Sequence, residues 1–156
     1  MLTFKVYEHD DKDVLYTMMR KAFEEPAARP LFYEKLLEME IYALYCGEAP
    51  QKETEYFAKE NTQITFRAFD NGAIPIFSSK NRMYDENSPL KKSKEKITYI
   101  ALKGRDIFTS CKNAKFVINV WSLYWKEFSP EEVGLILRGE NLSEIDRFWI
   151  RNYERI

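Results

Sequence analysis

Histidine is nearly absent from this 156-residue chain: the one present, His9, stands beside Asp10 and Asp11. A Ser-His-Asp or Cys-His device would have to depend on that residue alone, and its neighbours read more simply as a helix-capping or surface cluster. Glycine is scarce as well, with five in all, so there is little material for a phosphate-cradling loop, and neither G-x-G-x-x-G nor a Walker loop is present. G-x-S-x-G and H-E-x-x-H are missing too. The two cysteines, Cys46 and Cys111, lack the close spacing of a zinc knuckle or a disulfide framework and read as free buried thiols. No Asp-rich loop has calcium spacing.

Charge of one sign is lacking too. With 24 basic and 25 acidic side chains the formal net charge is -1, too little to gather nucleic-acid phosphates. Long apolar runs are absent, so no membrane span is expected. The opening "MLTFKVYEHD" carries acids where an export signal needs a basic start and an apolar stretch, which predicts a cytoplasmic, unexported protein.

What is plentiful is aromatic surface, at 15% of residues, within a chain that is 45% hydrophobic and 31% charged. Those proportions predict an ordinary globular fold of one domain, able to bury roughly two thirds of its unfolded surface.

Along the chain, "TFKVY" alternates as a short strand. Asp10, Asp11 and Asp13 precede apolar residues at helical spacing, with Arg20 and Lys21 at the far end, which predicts a helix stopped by Pro26. Pro30 opens a second helix. "EIYALYC", residues 40–46, reads as a buried strand ending at Gly47. "TQITFRAF" and "AIPIF" flank Asp70, Asn71 and Gly72 and predict a tight hairpin, with Pro75 placed on an edge or at a bulge because it cannot donate to a ladder. Residues 78–96 read as a solvated loop that includes the lysine run "KKSKEK". "ITYIAL" predicts a strand, and "GRDIFTSCK" a short helix closed by Asn113.

"FVINVWSLYWKEF", residues 116–128, predicts a last strand. Ser129, Pro130 and Glu132 then form a capping box, Phe128 and Val133 a hydrophobic staple, and Gly139 ends the helix. Asn141 and Glu144 repeat the capping pattern for a final helix with Leu142, Ile145, Trp149 and Tyr153 on one side. The chain therefore divides into a domain over 1–138 and a helical extension over 139–156.

Four stretches in order, "EEPAARPLFYEKLLEMEIYAL", "IPIFSSKNRM", "ALKGRDIF" and "FSPEEVGLIL", resemble the N-terminal domain of the SseB (enhanced serine sensitivity) family of bacteria over about residues 24–137. The resemblance implies an α+β fold: a single compact domain with a mixed sheet of about five strands flanked by helices. It carries over no catalytic residues. Where family members continue the last strand with an Asn-Pro-Gly-Ser-like turn, this chain has Asn119 and Ser122 bracketing Val120 and Trp121, followed by Leu123, Tyr124 and Trp125.

The expected function is that of a non-enzymatic protein-binding module, an adaptor or immunity-type protein that binds a cognate secreted toxin or effector. No cofactor, metal, nucleic acid or membrane is called for. The partner site falls on Asn119, Trp121, Ser122, Tyr124 and Trp125, since large rigid rings are the preferred anchors of interfaces; a central strand covered on both faces is the competing account of the same run. Acidic residues from Glu48 to Glu60 would steer a basic partner. The alternative is an enzyme with a carboxylate site, drawing on Glu53, Glu55, Asp85 or Glu86, or a thiol site at Cys111, although a helix end is the wrong place to activate a thiol. A third reading places a small ligand or nucleic acid on Ser78 to Lys96, where Tyr84 is the one ring available for stacking.

Overall fold

Asp13 starts the first helix by placing a carboxylate oxygen on the Tyr16 N–H, and the computed structural model describes the chain from that residue: 13–46, 65–92, 98–111, 113–139 and 145–149. The expected strand at residues 3–7, the acidic stretch from Glu48 to Glu60 and the capping residues Asn141 and Glu144 lie outside the described residues, as does His9. Helix α1 (Val14–Glu24) buries Leu15, Met19, Ala22 and Phe23, the one-sided spacing of an amphipathic helix. Pro26 begins a single 3-10 turn, and α2 (Arg29–Glu38) follows with Pro30 in its first turn.

The sheet is built around β1 (Glu40–Cys46). It pairs antiparallel with β2 (Thr65–Phe66), β3 (Ala73–Phe77) and β4 (Tyr99–Lys103). β3 then pairs parallel with β5 (Lys115–Ile118), and β5 antiparallel with β6 (Lys126–Phe128). Among the described residues this is a mixed sheet of six strands, one of them only two residues long, in one α+β domain. Helix α3 (Gly104–Ser110) lies between β4 and β5, and α4 (Pro130–Arg138) follows β6. At Gly104 an added Cβ would stand 1.8 Å from the Leu36 carbonyl oxygen, so the close approach of α2 and α3 requires glycine.

Period-two alternation divides the strands between two apolar clusters. Ile41, Ala43, Ile74 and Ile76 face the helices and join the main core, whereas Tyr42, Leu44, Phe77 and Tyr99 face the other way. That second face is covered by Met83, Leu90, Val120 and Trp121. Its cover comes from two 3-10 turns, Lys80–Tyr84 and Pro89–Lys92, and the segment after β5.

Three expectations need correction. Thr65–Phe66 pairs with β1 and not with the strand that follows it, and the Asp70–Gly72 turn is closed by Phe69 N–H to Ala73 O at 2.9 Å with Gly72 at φ 88. Pro75 sits inside the sheet, buried between β1 and β5. Because proline offers no N–H, the β1–β3 ladder stops at Ala43↔Ile76, and the Leu44 carbonyl accepts instead from Arg67 N–H at 3.0 Å. The predicted strand 116–128 is two strands, broken where Asn119 takes a left-handed φ of 55.

Both ends of α4 follow expectation, with Ser129 Oγ accepting from Glu132 N–H at 3.2 Å at its start and Gly139 at φ 68 at its close. Only half of the capping box forms, since the Glu132 carboxylate turns into the core. In the C-terminal stretch, Ile145, Phe148 and Trp149 are buried in the main cluster, where Trp149 packs edge-on against Phe23 at 4.8 Å and Phe32 at 5.6 Å.

Candidate functional site

The turn after β5 is held by one side chain. Asn119 N–H donates to Ile76 O at 2.9 Å, and Ser122 N–H donates back to Asn119 O at 2.9 Å. The left-handed backbone costs little for Asn. Its side chain, 0% exposed, accepts from Ser78 N–H at 3.0 Å and donates to Ser78 Oγ at 2.9 Å.

Ser78 Oγ in turn donates to Asp13 Oδ2 at 2.8 Å, which also accepts from Arg82 Nε at 2.9 Å. The Arg82 and Asp13 side chains are 5% and 2% exposed, so this is a buried ion pair, and deleting one partner of such a pair costs about 3–5 kcal/mol. Arg82 lies 3.7 Å over the Tyr16 ring and donates from Nη1 to Asp85 Oδ2 at 3.2 Å. Ser122 Oγ donates to the same Asp85 oxygen. The start of α1, the Lys80–Tyr84 turn and the 119–122 turn are thereby tied together. The segment 78–92, expected as a solvated loop, is instead folded, with Ser78, Arg82, Met83 and Ser88 buried.

Between these tied segments lies a groove of about 640 Å3. Trp121, Ser122 and Leu123 line it from one segment, Tyr84, Asp85, Glu86 and Lys91 from another, and Tyr16 and Arg82 stand between them in the hydrogen-bonded network. Trp121 is held by stacking on Phe77 at 5.4 Å and by an edge contact with Phe69 at 6.3 Å. Tyr84 is 41% exposed and Leu123 is 77% exposed, the most open large apolar side chain among the described residues.

Of the five residues singled out from sequence, three come together: Trp121 and Ser122 line the groove, and Asn119 fixes the turn that carries them. Tyr124 points into the main core, 6.1 Å from the Tyr16 ring and 6.0 Å from Phe23, and its N–H donates to Tyr16 Oη at 3.3 Å. Trp125 is half-buried and lines no part of this groove. The expected partner site left out Leu123, Tyr16, Arg82 and Tyr84, of which Tyr84 entered only the small-ligand or nucleic-acid reading. The one local signal was the Arg82/Asp85 spacing within a single turn.

Among the alternatives, Asp85 and Glu86 reach the groove, while Glu53, Glu55 and the Glu48 to Glu60 stretch lie outside the described residues. Cys111 is half-buried rather than buried, caps the C-terminus of α3 and stands 3.7 Å from Ser110 Oγ, away from the groove. Cys46 is described in its backbone only. No group of three or more His, Cys, Asp or Glu able to hold a metal occurs among the described residues.

A second polar cluster is sealed inside. Lys126 Nζ lies 3.0 Å from Glu132 Oε2, both side chains 0% exposed, and Tyr33 Oη donates to Glu132 at 2.9 Å while accepting from Trp149 Nε1. Burial pushes the Glu132 carboxyl up, against the downward pull of Lys126. It also pushes the Lys126 ammonium down, against Glu132, and raises the Tyr33 phenol. With no exposure to solvent, this cluster braces β6, α2, α4 and the 145–149 segment rather than meeting a ligand.

The geometry defines a class: an α+β domain with an aromatic and charged groove between the start of α1, the 80–92 segment and the turn after β5. The family model described as SseB protein N-terminal domain matches residues 15–134, and the chain belongs to that family. The match begins in α1 and ends in α4. No curated protein and no solved structure matches the chain. Among the described residues no helix is long and apolar enough to cross a membrane.

Proposed function

We propose that this domain is a non-enzymatic protein-binding module of the cytoplasm that docks a partner polypeptide in the groove beside Trp121 and Leu123. The observation that carries this reading is the mounting of Leu123: a large apolar side chain, 77% exposed, stands one residue beyond Ser122, whose turn is fixed by the fully buried Asn119 and the Asp13–Arg82 pair. An exposed leucine on a rigid base loses little conformational freedom when covered, which favours binding over mere exposure. Arg82, the one buried titratable group among the described lining residues, serves in ion pairs, and this supports a binding role over acid–base work. The finer reading is an adaptor or immunity-type protein whose partner is a secreted toxin or effector.

Affinity capture from the native host with the full chain tests the reading, run beside Leu123→Asp and Trp121→Ala. The account expects one co-purifying protein that Leu123→Asp loses and that Trp121→Ala weakens. Equal recovery by folded Leu123→Asp would sink the groove as the docking surface. Stoichiometric, rapid alkylation of Cys111 with loss of a measurable turnover would instead favour the thiol enzyme.

A further inference from the structure

The groove has hydrogen-bonding capacity left, and its sign is negative. Asp85 receives both Arg82 Nη1 and Ser122 Oγ on one oxygen, Oδ2. Its other oxygen, and both oxygens of Glu86, have no hydrogen-bond or ion-pair partner among the described residues. The Asp85 side chain is held in place and is still 25% exposed. Arg82 contributes no free positive charge, because it is divided between Asp13 and Asp85. Among the described residues, Lys91 is then the one lining cation outside these ion pairs, set against Asp85 and Glu86. Beside these carboxylates stand the apolar surfaces of Leu123, Trp121 and Tyr84.

We infer that the groove recognises a segment of the partner polypeptide in which a basic residue neighbours an apolar one. The Arg or Lys head meets Asp85 Oδ1 and the Glu86 carboxylate, and the apolar side chain covers Leu123 against the edge of Trp121. This inference rests on the groove being the docking surface. The several N–H donors of an arginine suit these three free oxygens, and aromatic rings beside a carboxylate favour it further. Among the described residues of the lining, an acidic segment would find Lys91 alone outside an ion pair.

The test uses a displayed library of random peptides selected on the immobilised full chain, followed by affinity measurements of the selected peptides on the wild type and on Glu86→Lys, Lys91→Glu and Leu123→Asp. Selected peptides should be enriched in Arg or Lys next to an aliphatic or aromatic residue. Glu86→Lys should weaken them about tenfold, Lys91→Glu should leave them unchanged or tighter, and added salt should weaken all of them. Enrichment of Asp or Glu, a loss on Lys91→Glu, or the lack of any peptide weakened by Glu86→Lys overturns the basic-segment inference. If such peptides still depend on Leu123, the groove itself survives; if they bind Leu123→Asp as well as the wild type, the docking surface is wrong as well.

Discussion

Removing either partner of the buried Lys126–Glu132 pair should destabilise the fold with opposite dependence on pH. The two side chains are 0% exposed and 3.0 Å apart, so each single deletion leaves a charge stranded in the core, at a cost of about 3–5 kcal/mol near neutral pH. In Lys126→Met, Glu132 loses the two influences from Lys126 that hold its carboxyl down and keeps the desolvation that drives it up. The folded state then binds a proton that the unfolded chain releases, so stability present at low pH is lost as pH rises above the ordinary carboxylate range. In Glu132→Gln, Lys126 loses the influences that hold its ammonium up and keeps the desolvation that lowers it. Here the unfolded chain binds the extra proton, and stability is recovered as pH rises towards the ordinary lysine range. Each effect has a limiting slope of about 1.4 kcal/mol per pH unit within its window. Urea unfolding of wild type and both variants from about pH 5 to about pH 9 should show the penalty of Lys126→Met growing with pH and that of Glu132→Gln shrinking, neither more steeply than that slope. Penalties that stay parallel across the range would refute the reading of these groups as a sealed ion pair.

Three further outcomes are expected. Asn119→Ala should cost about 2–4 kcal/mol, because it strands the buried Ser78 N–H and forces alanine into φ 55, and circular dichroism in a urea titration would measure it. Gly104→Ala should cost about 3 kcal/mol or more, since its Cβ would collide with the Leu36 carbonyl; a change in melting temperature near zero would contradict the packing of α2 on α3. Trp149→Ala should cost about 3–5 kcal/mol and expose the Tyr33 hydroxyl, read as unfolding midpoint and near-ultraviolet ellipticity, because the indole packs on Phe23, Phe32 and Tyr33.

What could be read from the sequence was local. Asp13 before an apolar periodicity, Ser129 with Pro130, and Gly139 mark helix ends through interactions spanning three or four residues, and the structure has helix boundaries at each of them. The strand at Glu40–Cys46 was legible for the same reason, as a continuous run of strand formers. Pro75 misled because a missing donor predicts an edge or a bulge, whereas the sheet routes the β1 carbonyl to Arg67 and keeps the proline inside.

The site was legible only in part. Nothing in the composition of 116–128 shows that Asn119 turns the chain, since the group that holds it, Ser78, lies 41 residues away. Arg82 looked like one more charge in a polar loop, and its partner Asp13 is 69 residues distant. Such links are set by tertiary packing and leave no periodicity to read. The aromatic run proved to be both core and surface: Tyr124 is packed inward, while Trp121 is stacked on Phe77 and still lines the groove.

Titrating the isotopically labelled chain with a groove-dependent peptide or the captured partner, and following backbone amide shifts, tests the central claim most directly. Shifts concentrated at residues 81–91 and 121–123, with α4 and the Cys111 region unmoved, are the predicted result. Shifts centred instead on Pro30–Glu38 and the 136–139 stretch, with Trp121 and Leu123 silent, would contradict it.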